Sequence, residues 1–353
     1  MIINVPSSLT LQDVIEFGAL LGKLEGESFT FDFKNCRGVI EPFGMLMVSS
    51  QISRLRKKLP TANIFCKNFD HMGYASHMGF FSAFGLNHGN KPGQAPGSST
   101  YIPLTLLNVK VLREQAIEQG LEVGERVEKE SRRLAFILCN SEEGDLFDTL
   151  SYSIRELMRN VVEHSNAVTI GFCAQYWPTK NKVEVAILDM GIGLRKSLSP
   201  NPHIDVSNDK KAVNYSLMPA VSGKNFKGMK IKQKGNWVNS GFGLYMTCRI
   251  SRNGGNFFIA SGDTGLLLTS KGEGKRYFET NFQGTAVRLV IKTNQLPNLR
   301  AALESYKKEG YEIKSRYKEI IDIDPSAASL MLSEDFDVSI FDKIIKTLKG
   351  NRF

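Results

Sequence analysis

Glu156, Asn160 and His164 stand four residues apart in RELMRNVVEHS, a spacing that places all three on one face of a helix. A carboxylate and an amide one turn apart can orient a water molecule and ligate Mg²⁺, the ion that usually accompanies phosphates. Alone, the same stripe would serve as an ordinary solvated helix face. In AILDMGIGL an apolar run ends in Asp189 and passes directly into Gly191 and Gly193. An aspartate at such a strand end can accept a hydrogen bond from an exocyclic amine, and the glycines let the backbone approach a flat base; the plain alternative is a β-turn. In NSGFGLYMTCRISRNGG, Gly241 and Gly243 lead into a helix that starts near Leu244, where backbone amides would face phosphate oxygens. Met246 stands where a GxGxxG dinucleotide motif needs its third glycine, so that motif is excluded. Finally, in FQGTAVRLVI, Gly284 and Thr285 open an alternating strand and set a hydroxyl beside a bend.

These residues need particular elements to hold them. DLFDTLSYSIRELMRNVVEHS has the periodicity of a long amphipathic helix, and AVTIGFCAQYW followed by KVEVAILDMG reads as a pair of strands, an order that begins an α/β sandwich. Upstream, FTFDF at 29–33 and ANIFC from Ala62 read as strands, with a helix from Gly44 between them that ends in a basic turn. That pattern predicts a small α/β unit with a parallel pair. The stretch from His88 to Pro103 is dense in Gly, Pro, Ser and Asn and is predicted to be a loop or linker. After it come a strand and a charged helical region, and the chain closes on helical segments broken at IDPSAAS. No internal repeat is present.

The four chemical segments occur in one order on the expected elements, helix, strand end, loop into helix, and strand. In this they resemble the nucleotide-binding boxes of the GHKL superfamily of ATPases, the N box and three glycine boxes. The resemblance implies an α/β sandwich with a mixed, largely antiparallel sheet that binds ATP and Mg²⁺. It implies that Asp189 contacts the adenine amino group, with Thr285 supporting that contact, and that Asn160 holds the metal. Glu156 would be the water-activating base. Gly191, Gly193, Gly241 and Gly243 match the flexible glycines of the pocket, with Leu244 at the start of the helix beside it. Residues Leu194 to Ser240 would form the lid, and AVNYSLMPAVSG within it resembles the short helix and turn of such lids. Lys224, Lys227, Lys230, Lys232 and Lys234 would offer cations to phosphates or lie exposed. His164 completes an ExxxNxxxH pattern and would be a phosphate-side or helix-packing residue.

The amino-terminal strand, turn, helix and strand resemble a STAS domain, the fold of anti-sigma-factor antagonists. Phe43 occupies the position of that family's phosphorylatable serine, which argues against a phosphoswitch there and leaves a docking, self-association or scaffold role. The expected organisation is a STAS-like α/β domain over 1–95, a connecting segment over 96–135, a GHKL ATP-binding domain over 136–295 and a helical extension over 296–353.

Composition sets the remaining bounds. The 353 residues are 42% hydrophobic and 23% charged, which suits a globular chain of two domains, and no apolar run is long enough to span a membrane. The amino-terminus lacks a secretory pattern, so a cytoplasmic location is expected. Five scattered cysteines read as buried free thiols, and His71, His77 and His88 are too irregularly spaced for a metal site. A net charge of +9 permits nucleic acid as a partner, but the lysines form no stripe interleaved with aromatics. Three functions remain open: an ATPase acting as a conformational switch for a protein partner, with possible homodimerisation; a serine or histidine protein kinase of anti-sigma-factor type; and an ATP-dependent interaction module without turnover.

Overall fold

Three short strands, β1 (Ile2–Asn4), β2 (Ser28–Asp32) and β3 (Asn63–Lys67), form a parallel sheet in the order β1-β2-β3, with α1 (Leu11–Gly22) and α2 (Pro42–Lys58) as its crossovers. The parallel pairing of β2 and β3 agrees with the helix-between-strands pattern. Pro42 opens α2 where a missing N–H costs nothing, and Arg56, Lys57 and Lys58 complement the carbonyl end of its dipole. Short helices α3 (Gly73–His77) and α4 (Phe80–Ala83) follow.

The remainder contains β4 (Tyr101–Asn108), α5 (Val109–Glu118), α6 (Val123–Cys139), α7 (Asp145–Asn160), β5 (Thr169–Trp177), β6 (Lys182–Asp189), α8 (Gly193–Leu198), α9 (Asp209–Ser216), α10 (Gly243–Ser251), β7 (Asn256–Leu268), β8 (Lys275–Lys292) and α11 (Leu299–Tyr317). The computed structural model describes residues 1–224, 226, 241–270 and 274–317, so the closing segment from 318, IDPSAAS included, and the last part of the expected lid, 225 and 227–240, lie outside the described residues. The five strands pair in the order β4-β5-β6-β8-β7, every neighbour antiparallel. The protein is therefore mixed α/β, with one parallel and one antiparallel sheet. No described helix is long and apolar enough to cross a membrane.

Strand alternation assigns the two faces of the large sheet. Val183, Val185 and Ile187 of β6, with Val287, Leu289 and Ile291 of β8, join a core shared with α6, α7 and α10. The intervening Ala186, Leu188 and Ala286, with Cys173, Phe258 and Ala260, join a second core shared with α1, α2 and the parallel sheet. Small residues dominate the second face, which lets α2 lie close against it. The amino-terminal region thus covers the back of the large sheet instead of standing clear of it. The first turn of α2 is sealed: Phe43 is wholly buried and its ring meets that of Phe258 edge-on at 5.4 Å.

A charged network sits at this seam. Arg288 donates to Glu184 at 2.7 Å and to Glu41 at 3.1 Å, Lys182 donates to Glu41 at 2.9 Å, and the Phe43 amide donates to Glu184 at 3.2 Å. Two carboxylates and two cations balance, as buried charges require.

Candidate functional site

Parity also decides which strand ends face α7. Asp189 and Thr285 are paired in register and continue the odd-numbered, α7-facing rows of β6 and β8. From α7 and the turn that continues it, Leu157, Asn160, Val161, His164 and Ser165 line a cavity together with these strand ends. Its far wall is the entry to α10, with Gly241, Gly243 and Leu244. The last turn of the helical run, Val161–Ser165, is a π-helical turn, a distortion that often accompanies functional sites.

Asp189 is 2% exposed and its Oδ1 accepts from the Gly191 amide at 2.8 Å. Burial pushes its carboxyl up to about 6, only partly offset by the Gly191 and Thr285 amides. No ion pair with it occurs among the described residues. A carboxylate that shares its cavity with apolar Ile187, Val287 and Ile259, and that has no cationic partner among the described residues, favours a ligand that brings a neutral N–H donor. The turn after it is tied to α7, since the Ile192 amide donates to the Ser165 carbonyl at 2.8 Å. Gly191 makes that approach possible, because a Cβ there would lie 2.0 Å from the Ser165 carbonyl oxygen.

No protein-family model matches the chain, and no curated protein is similar to it.

The described part of the expected lid stands over the cavity, with Ser216, Val221, Ser222 and Gly223 lining it. Asn201 donates to the Ser222 carbonyl at 2.9 Å, and the Ala220 amide to the Gly241 carbonyl at 3.0 Å. α9 and the turn after it agree with the helix and turn expected within AVNYSLMPAVSG. Lys224 donates to the Glu163 carbonyl beside the π-helical turn. Burial, then the charge of Lys224, holds the His164 imidazole down to about 4, so it is neutral at physiological pH. Lys227, Lys230, Lys232 and Lys234 lie outside the described residues.

Of the residues singled out by sequence, Asn160, Asp189, Gly193, Gly241, Gly243, Leu244 and Thr285 come together in one cavity, with His164 beside them. Gly191 lies outside that lining, in a neighbouring depression with Gly193 and Gly284, and its amide donates to Asp189. Glu156 does not line the cavity. Its Oε1 accepts from Arg155 at 2.8 and 3.1 Å, and Oε2 lies 2.3 Å from where a Cβ on Gly243 would sit. Two serines escaped the sequence reading. Ser165 ties the π-helical turn to the Asp189 turn, and Ser261 bridges them to β8 by accepting from the Leu194 amide at 3.0 Å and donating to the Gly284 carbonyl at 2.8 Å. Neither has a motif around it, though the apolar stripe from Leu157 marks the cavity-facing side of α7.

Proposed function

We propose that the protein binds ATP with Mg²⁺ in this cavity and acts as a nucleotide-driven switch. What carries the reading is the buried Asp189, without a cationic partner among the described residues, in a cavity that the start of α10 also lines. The carboxylate accepts from the 6-amino group of adenine, and Thr285 supports it from the paired strand. The first amides of α10, at Gly243 and Leu244, meet phosphate oxygens in the electropositive field of a helix terminus.

Among the described residues no three His, Cys, Asp or Glu side chains cluster to hold a metal. One amide oxygen at Asn160 suits an ion that keeps several waters and takes its other oxygens from phosphates. When bound, Mg²⁺ would neutralise charge on the phosphates. In hydrolysis, Glu156 would take a proton from a water whose oxygen attacks the γ-phosphorus, while the bond to the bridging oxygen breaks and ADP leaves with the electron pair. The lid residues over the cavity would then move with occupancy and alter contacts with a protein partner.

Calorimetric titration of the full chain with ATP and Mg²⁺ tests this. Micromolar binding that fails in Asp189→Asn and weakens in Asn160→Ala supports it, whereas no binding of any adenine nucleotide refutes it. A second reading, nucleotide held without turnover, draws on the displacement of Glu156 from the cavity wall. Tight binding with no phosphate release would select it.

A further inference from the structure

Glu156 departs most from the stripe its spacing describes, and its neighbours account for the departure. Arg155 is the adjacent residue, about 100° round the helix, yet its Nε and Nη2 converge on Glu156 Oε1 at 3.1 and 2.8 Å. The same guanidinium lies 5.1 Å from the ring centroid of Tyr152, one turn earlier, which anchors it. Arg159 adds a second cationic group at 3.8 Å from that oxygen. The second oxygen packs on Gly243 at the entry to α10. One oxygen is therefore occupied by two charge-assisted donors and the other faces Gly243, where a Cβ would lie 2.3 Å from it. A general base needs a lone pair aimed at the attacking water.

We propose that Arg155 is a restraining residue that holds Glu156 off the nucleotide and keeps ATP turnover slow. The inference rests on the proposed ATP-binding reading and concerns only the rate of the hydrolytic step. While the pair is closed, the proton of the attacking water has no acceptor at Glu156. When the guanidinium is withdrawn, the carboxylate can swing one side-chain rotamer toward Asn160 and accept that proton. Ordering of the phosphates by Asn160 and α10 is untouched, so binding and turnover respond separately to loss of Arg155.

The test measures kcat, KM and nucleotide Kd for the full chain and for Arg155→Met, Arg155→Lys, Glu156→Gln and the Arg155→Met, Glu156→Gln double variant, with melting curves for each. Loss of the clamp is expected to raise kcat about tenfold, the exchange of one strong contact, with Kd within about twofold of the parent. Arg155→Lys, which cannot fork, is expected between the two, and it serves where Arg155→Met melts early. The double variant is expected to fall to the Glu156→Gln rate. A kcat that is unchanged or lower in both folded Arg155 variants, with Kd intact, overturns the inference, as does a gain that survives in the double variant. Absence of ATP binding in every protein overturns the binding reading and this inference with it.

Discussion

Asp189 is the residue on which the proposed recognition of adenine turns. Its carboxyl is raised to about 6, above the 3.8 of a free aspartate, so the folded state binds that proton more tightly than the unfolded chain. The cost of ionising it in place is fully present above pH 6 and is relieved as pH falls from about 6 to about 4. Two outcomes follow for Asp189→Asn. In the ligand-free protein at pH 7.5 it should raise stability by about 1–3 kcal/mol, read by denaturant unfolding. It should also abolish ATP binding, since an amide turned by Gly191 cannot offer the same charged acceptor. In the parent protein, ATP affinity should fall by up to about tenfold per pH unit below 6, because protonation removes the charged acceptor that the amine meets. Titrations between pH 5 and 8 would show this, and a flat profile would argue that Asp189 makes no contact with the base.

At the scale of elements, the cavity depends on how the β6–α8 turn closes against the end of α7. The turn approaches backbone to backbone at Ser165, so no side chain can give way. Gly191→Ala would place a Cβ 2.0 Å from the Ser165 carbonyl oxygen and 2.8 Å from its carbon. The expected result is a loss of about 1–3 kcal/mol of stability, the usual range for overpacking, together with loss of nucleotide affinity. Urea denaturation and ATP titration of the same variant measure both. Full retention of both would mean that the turn can shift without consequence. The π-helical turn is part of this arrangement, since it carries His164 and Ser165 to the cavity wall while Lys224, beyond α9, reaches the Glu163 carbonyl.

For the whole molecule, the seam between the amino-terminal layers and the large sheet is both apolar and charged. Glu184 is completely buried and Arg288 is 6% exposed. Arg288→Met would strand Glu184 and Glu41 without their guanidinium, and a loss of about 3–5 kcal/mol is expected on thermal or chemical unfolding. At Glu41, burial alone would raise the carboxyl, but Arg288 and Lys182 outweigh it and hold it below its usual 4.5. Its contribution is therefore present above pH 4.5 and is lost as pH falls below that value. A chain beginning at residue 96 would bare Leu188, Phe258 and Ala260 on the back of the sheet. It should bind a hydrophobic dye and aggregate where the full chain does not, as sedimentation would record. A soluble, monomeric, ATP-binding fragment would show instead that the sheet needs no cover.

Local pattern was enough to read much of this protein from its sequence. The long helix ending near Ser165, the strand pair after it that ends at Asp189 and the parallel β2–β3 unit rest on periodicities of about two or 3.6 residues, which neighbours in the chain enforce. Where those periodicities are interrupted, the reading stopped short. β7 runs through Gly262 and Asp263 with register shifts, and β8 starts at Lys275, well before the alternation that begins near Gly284. Tertiary structure alone decided that Phe43 and α2 would be buried against the sheet, that Glu41 would meet Arg288, and that Ser165 would receive the Asp189 turn. It also decided the orientation of Glu156. Helical spacing places its Cα, but the direction of a long side chain follows from whatever charge and space surround it. Here those are a guanidinium at its side and a glycine brought by α10 from far along the chain, a coincidence that exists only once the chain has folded.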